Sequence, residues 1–286
     1  MLSLCGGRAD AGAWMNNAAP SLRRYQPVQV QRVVGRKPTS QPLGSPGMGC
    51  RLGRPERQGQ RNPLAKSVLP LQYTTMLTLT DISRSYGRKR VLEGVSAAFP
   101  TGLTLLVGPS GAGKSTLLRL LATAEKPNAG AIAWDGGALP GARKALRAVL
   151  GYAPQAVDLP EDLTAREFAL HMAALKGLEA RAADAQFGAI TGRIGLHADI
   201  NNRIATFSGG MRRRLVFAQA MLGAPRLLAL DEPTAELDGE TAAQVSALIV
   251  ERAREAVVVM TTHLADALAP QAVQVLRVDQ GRVAPQ

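Results

Sequence analysis

Gly108-Pro109-Ser110-Gly111-Ala112-Gly113-Lys114-Ser115-Thr116 decides the reading of this chain, because of what stands on either side of it. Leu103-Thr104-Leu105-Leu106-Val107 before it is an apolar run of strand length, and Leu117, Leu118, Leu120 and Leu121 after it recur at helical spacing. Strand, glycine-rich loop and helix, in that order, are the parts a phosphate-binding loop needs. Glycines let backbone N–H groups close around phosphate oxygens, Lys114 reaches the terminal phosphates, and the hydroxyl of Ser115 takes a position on Mg²⁺. The helix that begins near Lys114 adds the positive end of its dipole. Glycine and serine are common in ordinary turns, but a full match in this setting leaves that bland reading little room. The chain reads as a nucleotide binder.

Composition bounds the rest. The chain has 286 residues, 46% hydrophobic and 20% charged, as in ordinary globular proteins. Its 34 basic and 22 acidic side chains give a formal net charge of +12, unevenly placed. Residues 1–75 hold 11 of the basic groups against only Asp10 and Glu56, so residues 76–286 keep 23 basic and 20 acidic groups. The folded part is nearly neutral, and no specific nucleic-acid partner is expected from it. Cys5 and Cys50 both lie in the first segment, so the remainder has no thiol for a disulfide or a zinc site and a reducing compartment fits. No stretch reaches the roughly eighteen consecutive apolar residues of a membrane-spanning helix, so any role at a membrane needs a partner.

Gly, Pro, Arg, Gln and Ser crowd residues 1–75 without a sustained period, and such a segment cannot offset its ordering entropy. It is expected to be disordered. The plainest account is that translation begins at Met76, where Met76-Leu77-Thr78-Leu79-Thr80 opens the first alternating strand, and that GC-rich DNA upstream yields the biased composition. A transit peptide fits the arginine richness but lacks an amphipathic stretch, and a basic arm touching nucleic acid or anionic lipid is the third reading.

From residue 76 onward the pattern predicts strands at 91–99, 103–107, 131–135 and 149–153, with a basic helix at 142–148. Thr164 with Glu167 makes a capping box, and Phe168, Met172 and Leu175 follow on one helical face. Alanine-rich sequence continues to about Leu196, which reads as a helical insertion. Alternation resumes with a helix from Gly209 or Gly210, strands at 226–230 and 256–260, a helix at 240–252 between them, and a last strand at 273–278. The economical architecture is parallel α/β with a helical arm.

Three apolar runs end by delivering polar residues: 103–107 into the loop, 227–230 into Asp231-Glu232, and 257–260 into Thr261-Thr262-His263. Ligands of open parallel sheets sit at the carboxyl ends of strands, so these sets should share one crevice. There Asp231 is placed to hold Mg²⁺ and Glu232 to orient or deprotonate an attacking water. His263, which alone would read as a surface histidine, is placed to bond the γ phosphate or that water.

Phe207-Ser208-Gly209-Gly210-Met211, followed by Arg212-Arg213-Arg214-Leu215, adds a second anion site, since a hydroxyl and bare N–H groups open a helix. Met211, Leu215, Ala218 and Leu222 give that helix its expected buried face. Lying between the phosphate loop and Asp231-Glu232, this stretch resembles the signature of the ABC-type ATP-binding cassettes, usually Leu-Ser-Gly-Gly-Gln, and the resemblance covers nearly all of 76–286. It implies an α/β P-loop NTPase cassette with a RecA-like parallel-sheet core, an N-terminal antiparallel β region and an α-helical subdomain at about 156–207. It also implies ATP and Mg²⁺, and two cassettes stacked head to tail as a homodimer or heterodimer. Each ATP would then lie between the phosphate loop of one cassette and Ser208, Gly209 and Gly210 of the other. By position, Gln155 matches the loop glutamine that contacts Mg²⁺ and senses a transmembrane partner, and Asp238 in Ala235-Glu236-Leu237-Asp238 matches the loop that communicates between sites. Tyr86 matches the aromatic residue that stacks on adenine, an ordinary strand tyrosine being the plain alternative.

Phe207 in place of leucine keeps an apolar contact. Met211 in place of glutamine, with the arginines after it, is similar to exporter cassettes that pair with a separate permease. The function implied is the ATP-hydrolysing subunit of a transporter, held at the cytoplasmic face of the cell membrane through its transmembrane permease. A soluble cassette ATPase of nucleic-acid maintenance, translation or iron–sulfur assembly is the alternative. No heptad run separates Lys114 from Ser208 and one cassette is present, which leaves the iron–sulfur type open. A P-loop kinase gives no reason for the signature. Transported substrate and direction are not encoded here.

Overall fold

A computed structural model of the chain describes residues 75–286; the expectations attached to residues 1–74, Cys5 and Cys50 included, lie outside the described residues. Two sheets organise the described part. In the first, β1 (Thr75–Tyr86) pairs antiparallel with β2 (Lys89–Pro100) on one side and β4 (Ala129–Trp134) on the other, and β5 (Gly137–Ala138) hairpins onto β4. Leu77, Leu79, Ile82, Val95 and Phe99 turn its apolar face inward.

The second sheet has six strands in the order β10-β9-β3-β8-β7-β6. β3 (Gly102–Val107), β6 (Leu150–Ala153), β7 (Leu227–Asp231), β8 (Val257–Thr261) and β9 (Ala272–Asp279) run parallel, and β10 (Arg282–Pro285) returns antiparallel along β9. Every residue of β7 and β8 is buried, as expected of parallel strands covered on both faces. Their side chains alternate between two cores. Leu228, Leu230, Val258 and Met260 join the core that holds the helices of the insertion, whereas Leu227, Ala229, Val257 and Val259 join the core under the antiparallel sheet. α1 (Lys114–Leu121) lies in the latter through Leu117, Leu118, Leu120 and Leu121, the leucines whose spacing predicts it. β5 and β10 escape the pattern reading, being too short for a period to emerge.

α2 (Arg143–Ala148) precedes β6. Between β6 and β7 the chain is helical, with α3 (Ala165–Leu175), α4 (Ala180–Arg193) and α5 (Gly209–Met221). Both halves of the capping box form at α3: the Thr164 hydroxyl accepts from the Glu167 amide, and the Glu167 carboxylate accepts from the Thr164 amide at 2.8 Å. The buried face of α3 corrects the sequence reading. Ala165, Ala169 and Ala173 are buried, while Phe168 and Met172 are half-buried and Leu175 is 71% exposed. Small side chains let α3 close on α4 and α5, and the bulky ones are pushed to the rim of that contact. α5 keeps its expected burial at Leu215, Ala218 and Leu222, with Met211 partly covered. Among the described residues no helix is long and apolar enough to cross a membrane.

Lys176, at the end of α3, joins two of these helices by donating from Nζ to the Leu222 carbonyl at the end of α5, 3.1 Å away. Burial holds its amine below the ordinary 10.5, at about 8. An unfolded lysine keeps its proton to higher pH than this one, so stability rises with pH across the window from about 8 to 10.5. Thermal melting followed over that window should show the wild-type chain gaining on Lys176→Met as pH increases, with a constant difference below pH 8.

Candidate functional site

Register brings the polar strand ends together. Leu106 of β3 and Asp231 of β7 both stand opposite Thr261, the last residue of the intervening strand β8. The 108–116 loop, the Asp231-Glu232 pair and the Thr261–His263 stretch therefore leave the sheet at one edge. Gly108 has φ +136°, and a β-carbon on it would stand 2.0 Å from the Val278 carbonyl oxygen of β9, so only glycine lets the loop leave the sheet here. Gly113 precedes α1 at φ +111° with no side chain capping the helix, and Gly111 faces open space where a β-carbon would be. Lys114 lies across its own loop, Nζ donating to the carbonyls of Gly108 at 2.7 Å and Pro109 at 2.9 Å. Pro109 and Ser110 are exposed, Ala112 and Ser115 half-buried, and Thr116 buried.

This is a cradle of backbone amides, one ammonium group and a hydroxyl beside a carboxylate, a donor set that fits a polyphosphate with a divalent cation. Among the described residues no three His, Cys, Asp or Glu side chains gather as a metal cluster. A magnesium ion here would take oxygens from the phosphates as well as from Ser115 and Asp231, the hard oxygen donors that suit it.

Asp231 is buried, and its Oδ1 accepts from the Thr261 hydroxyl at 2.7 Å. That same hydroxyl accepts from the Glu232 amide at 2.9 Å, as does the Thr261 carbonyl at 3.2 Å. Glu232 sits at φ +52°, a left-handed conformation that costs a non-glycine residue about 1–3 kcal/mol. His263 Nε2 stands 3.1 Å from Glu232 Oε1, with the imidazole 82% exposed and the carboxylate 17%. The histidine thus reaches out of the crevice while touching the carboxylate inside it.

Tyr86 borders a different network. The Arg84 guanidinium covers one face of its ring at 4.6 Å from the centroid, and its hydroxyl donates to Glu125. Glu125 also pairs with Arg84 at 2.9 Å and Arg119 at 2.8 Å, and Arg119 donates to the Thr116 hydroxyl at 3.2 Å. The aromatic ring is fixed to the helix of the phosphate loop.

The remaining expected residues gather elsewhere. Ser208 caps α5 by accepting from the Met211 amide at 3.3 Å, and Gly209 and Gly210 form its first turn. Gln155 is exposed and lines a groove with Gly209, Arg212, Arg213 and Glu236, at the start of α5. Asp238 caps α6 (Gly239–Ala253), accepting from the Thr241 amide at 2.9 Å and hydroxyl at 2.7 Å, bonds that hold its carboxyl below the usual range. Both Ser208 and Asp238 therefore carry a helix-capping task. The sequence reads Thr261 only as one of the polar residues at its strand's end; its bonds to Asp231 and to the Glu232 amide are what the motifs do not foresee, its one signal being a hydroxyl closing the otherwise apolar Val257-Val258-Val259-Met260.

The family model of the ABC transporter matches residues 92–235. Over 221 residues the chain is 35% identical to the lipoprotein-releasing system ATP-binding protein LolD of Cereibacter sphaeroides, covering 73% of this chain and 98% of that relative. It is 34% identical over 197 residues to the Nod factor export ATP-binding protein I of Rhizobium etli, covering 67% of this chain and 61% of that one. The chain spans less than two thirds of the length of several curated relatives it matches. Among solved structures, an ATP binding subunit of an ABC transporter superposes with a TM-score of 0.66 at 27% identity, covering 74% of this chain and 90% of that chain.

Thr261→Val keeps the shape of the side chain and removes the hydroxyl that, among the described residues, donates to the buried Asp231 carboxylate. Urea unfolding should show a loss of about 1–3 kcal/mol, the cost of leaving a buried acceptor short, and Thr261→Ser should recover most of it.

Proposed function

Because the chain belongs to the ABC transporter family, we propose that residues 76–286 form a cassette that binds and hydrolyses ATP, with its helical subdomain at about 156–207. One observation carries this reading: the phosphate loop, Asp231, Glu232 and His263 leave adjacent strands at one edge, in a chain whose α5 opens on Ser208-Gly209-Gly210. ATP supplies the phosphoanhydride bond to be broken, and Mg²⁺ supplies Lewis acidity at its phosphate oxygens. The loop from Gly108 to Thr116 holds the phosphates, with Lys114 exchanging its two carbonyl partners for phosphate oxygens. Ser115 and Asp231 would hold the cation, joined by Gln155, which follows β6, the strand paired with β7. Glu232 takes the proton of the attacking water, and His263, 3.1 Å from it, orients that water and the terminal phosphate. The exposed face of Tyr86, opposite Arg84, stacks on the base.

Ser208, Gly209 and Gly210 serve the nucleotide of a second cassette, and Asp238 lies in the segment between the two sites. The pair works on a separate transmembrane permease, peripherally at the cytoplasmic face of the cell membrane, and in the direction of export. Relatives whose names give Nod factor export and lipoprotein release support that direction.

Glu232→Gln is expected to retain ATP binding while turnover falls by about 10² to 10⁴, the usual contribution of a general base. Steady-state hydrolysis and nucleotide-binding assays on the same preparation check this, and unchanged turnover would remove Glu232 from its role. The same variant saturated with Mg·ATP should run as a dimer in size-exclusion chromatography and bring a multi-spanning protein with it from detergent-solubilised membranes.

A further inference from the structure

Three consecutive arginines follow the Ser208-Gly209-Gly210-Met211 turn, and successive positions on a helix point about 100° apart. Each therefore reaches a different element. Arg212 donates to Glu161 at 2.8 Å and to the Phe207 carbonyl at 3.3 Å. Arg214 donates to the carbonyls of Ile194 at 3.1 Å and Gly195 at 2.8 Å, just past the end of α4. Arg213 turns toward the crevice: Nη1 donates to the Glu232 carbonyl at 3.1 Å, and Nη2 pairs with the Glu236 carboxylate at 3.3 Å.

We propose that Arg213 is a positioning residue for Glu232, tying the helix that opens on Ser208-Gly209-Gly210 to the backbone that carries the carboxylate in the same chain. The inference rests on the reading of Glu232 as the base. Glu232 and Glu236 are both non-glycine residues in the left-handed region, at φ +52° and +62°, so the turn between them persists only because its surroundings hold it. Thr261 holds the Glu232 amide, and the Glu232 carbonyl accepts both from the Ala235 amide of its own turn at 3.2 Å and from Arg213, so Arg213 is the bond that ties that turn to another element. The Arg213 side chain is only 14% exposed, which leaves its donors few water partners to fall back on. A planar fork reaches a carbonyl and a carboxylate at once, which a lysine ammonium on its flexible stem does less well. The turn also packs on the first turn of α5: a β-carbon on Gly209 would stand 3.1 Å from Glu236 Oε2, and one on Gly210 would stand 3.4 Å from the Glu236 carbonyl oxygen. Movement of that helix end therefore displaces the Glu232 backbone. In a pair of cassettes Ser208 and Glu232 of one chain belong to different nucleotide sites, so the tie runs from one site to the other within a single polypeptide.

The test measures kcat and KM for ATP in the full chain for wild type, Arg213→Met, Arg213→Lys, Glu232→Gln and the Arg213→Met/Glu232→Gln double variant, with single-turnover assays for the slow forms. Arg213→Met should lower kcat by about tenfold to a hundredfold, the scale of a displaced catalytic group, while KM stays within about twofold. Arg213→Lys should recover part of the loss. The further loss on adding Arg213→Met should vanish once Glu232 is glutamine, because groups that act through one another are not additive. Amide hydrogen exchange, which needs no nucleotide, should quicken across 232–237 in Arg213→Met while 227–230 stays protected. A raised KM with unchanged kcat, an undiminished loss in the Glu232→Gln background, or unaltered exchange at 232–237 overturns the tie. Wild-type turnover in Glu232→Gln instead removes the base reading beneath it, so the two failures are told apart.

Discussion

Parallel pairing of β3, β8 and β7 is the constraint on which the rest of the molecule depends. Strands buried along their whole length have no room for polar side chains until they end, so their chemistry is expelled to one edge of the sheet. The loop from Gly108, the Asp231-Glu232 pair and His263 meet there without any side chain having to cross the core. Register does the aligning. Thr261 stands opposite both Leu106 and Asp231, which lets its hydroxyl bond to the carboxylate and to the next residue's amide together.

Holding a carboxylate at that edge has a structural cost. Glu232 turns through a left-handed conformation immediately after a regular strand, and it is held by the Ala235 amide within its own turn and by bonds from two other elements, β8 through Thr261 and α5 through Arg213. The same logic governs the aromatic corner, where Tyr86, Arg84, Glu125, Arg119 and Thr116 connect the antiparallel sheet to α1. In both places the polar network joins separate elements of the fold.

The helical segment between β6 and β7 is built on closeness rather than bulk. Alanines at 165, 169 and 173 bring α3 against α4 and α5, and the capping box at Thr164 starts α3 at the right residue. Lys176 and Arg214 then bond to carbonyls at or just past the ends of neighbouring helices, where unpaired carbonyls would otherwise meet the core. α5 lies at the centre of this block, so its first turn, with Ser208 as cap, is anchored to both the helices and the sheet edge where the polar residues meet.

Much of this was legible in the residues. The phosphate loop, the capping box, the apolar strand runs and the signature turn are local patterns, each written within about ten residues, and local geometry follows from local sequence. They determined the family, the parallel core and the edge where the polar residues would meet. What they could not determine is any choice made by distance. The buried face of α3 went to alanines rather than to Phe168, Met172 and Leu175, since burial there is set by how near the neighbouring helices come. The partners of Tyr86 lie up to 39 positions away at Glu125, and three adjacent arginines share one composition but reach Glu161, Glu232 and Ile194. The sequence by itself settled which groups this protein has to work with; only the tertiary structure decided which of them touch, because contact depends on packing between elements far apart in the chain.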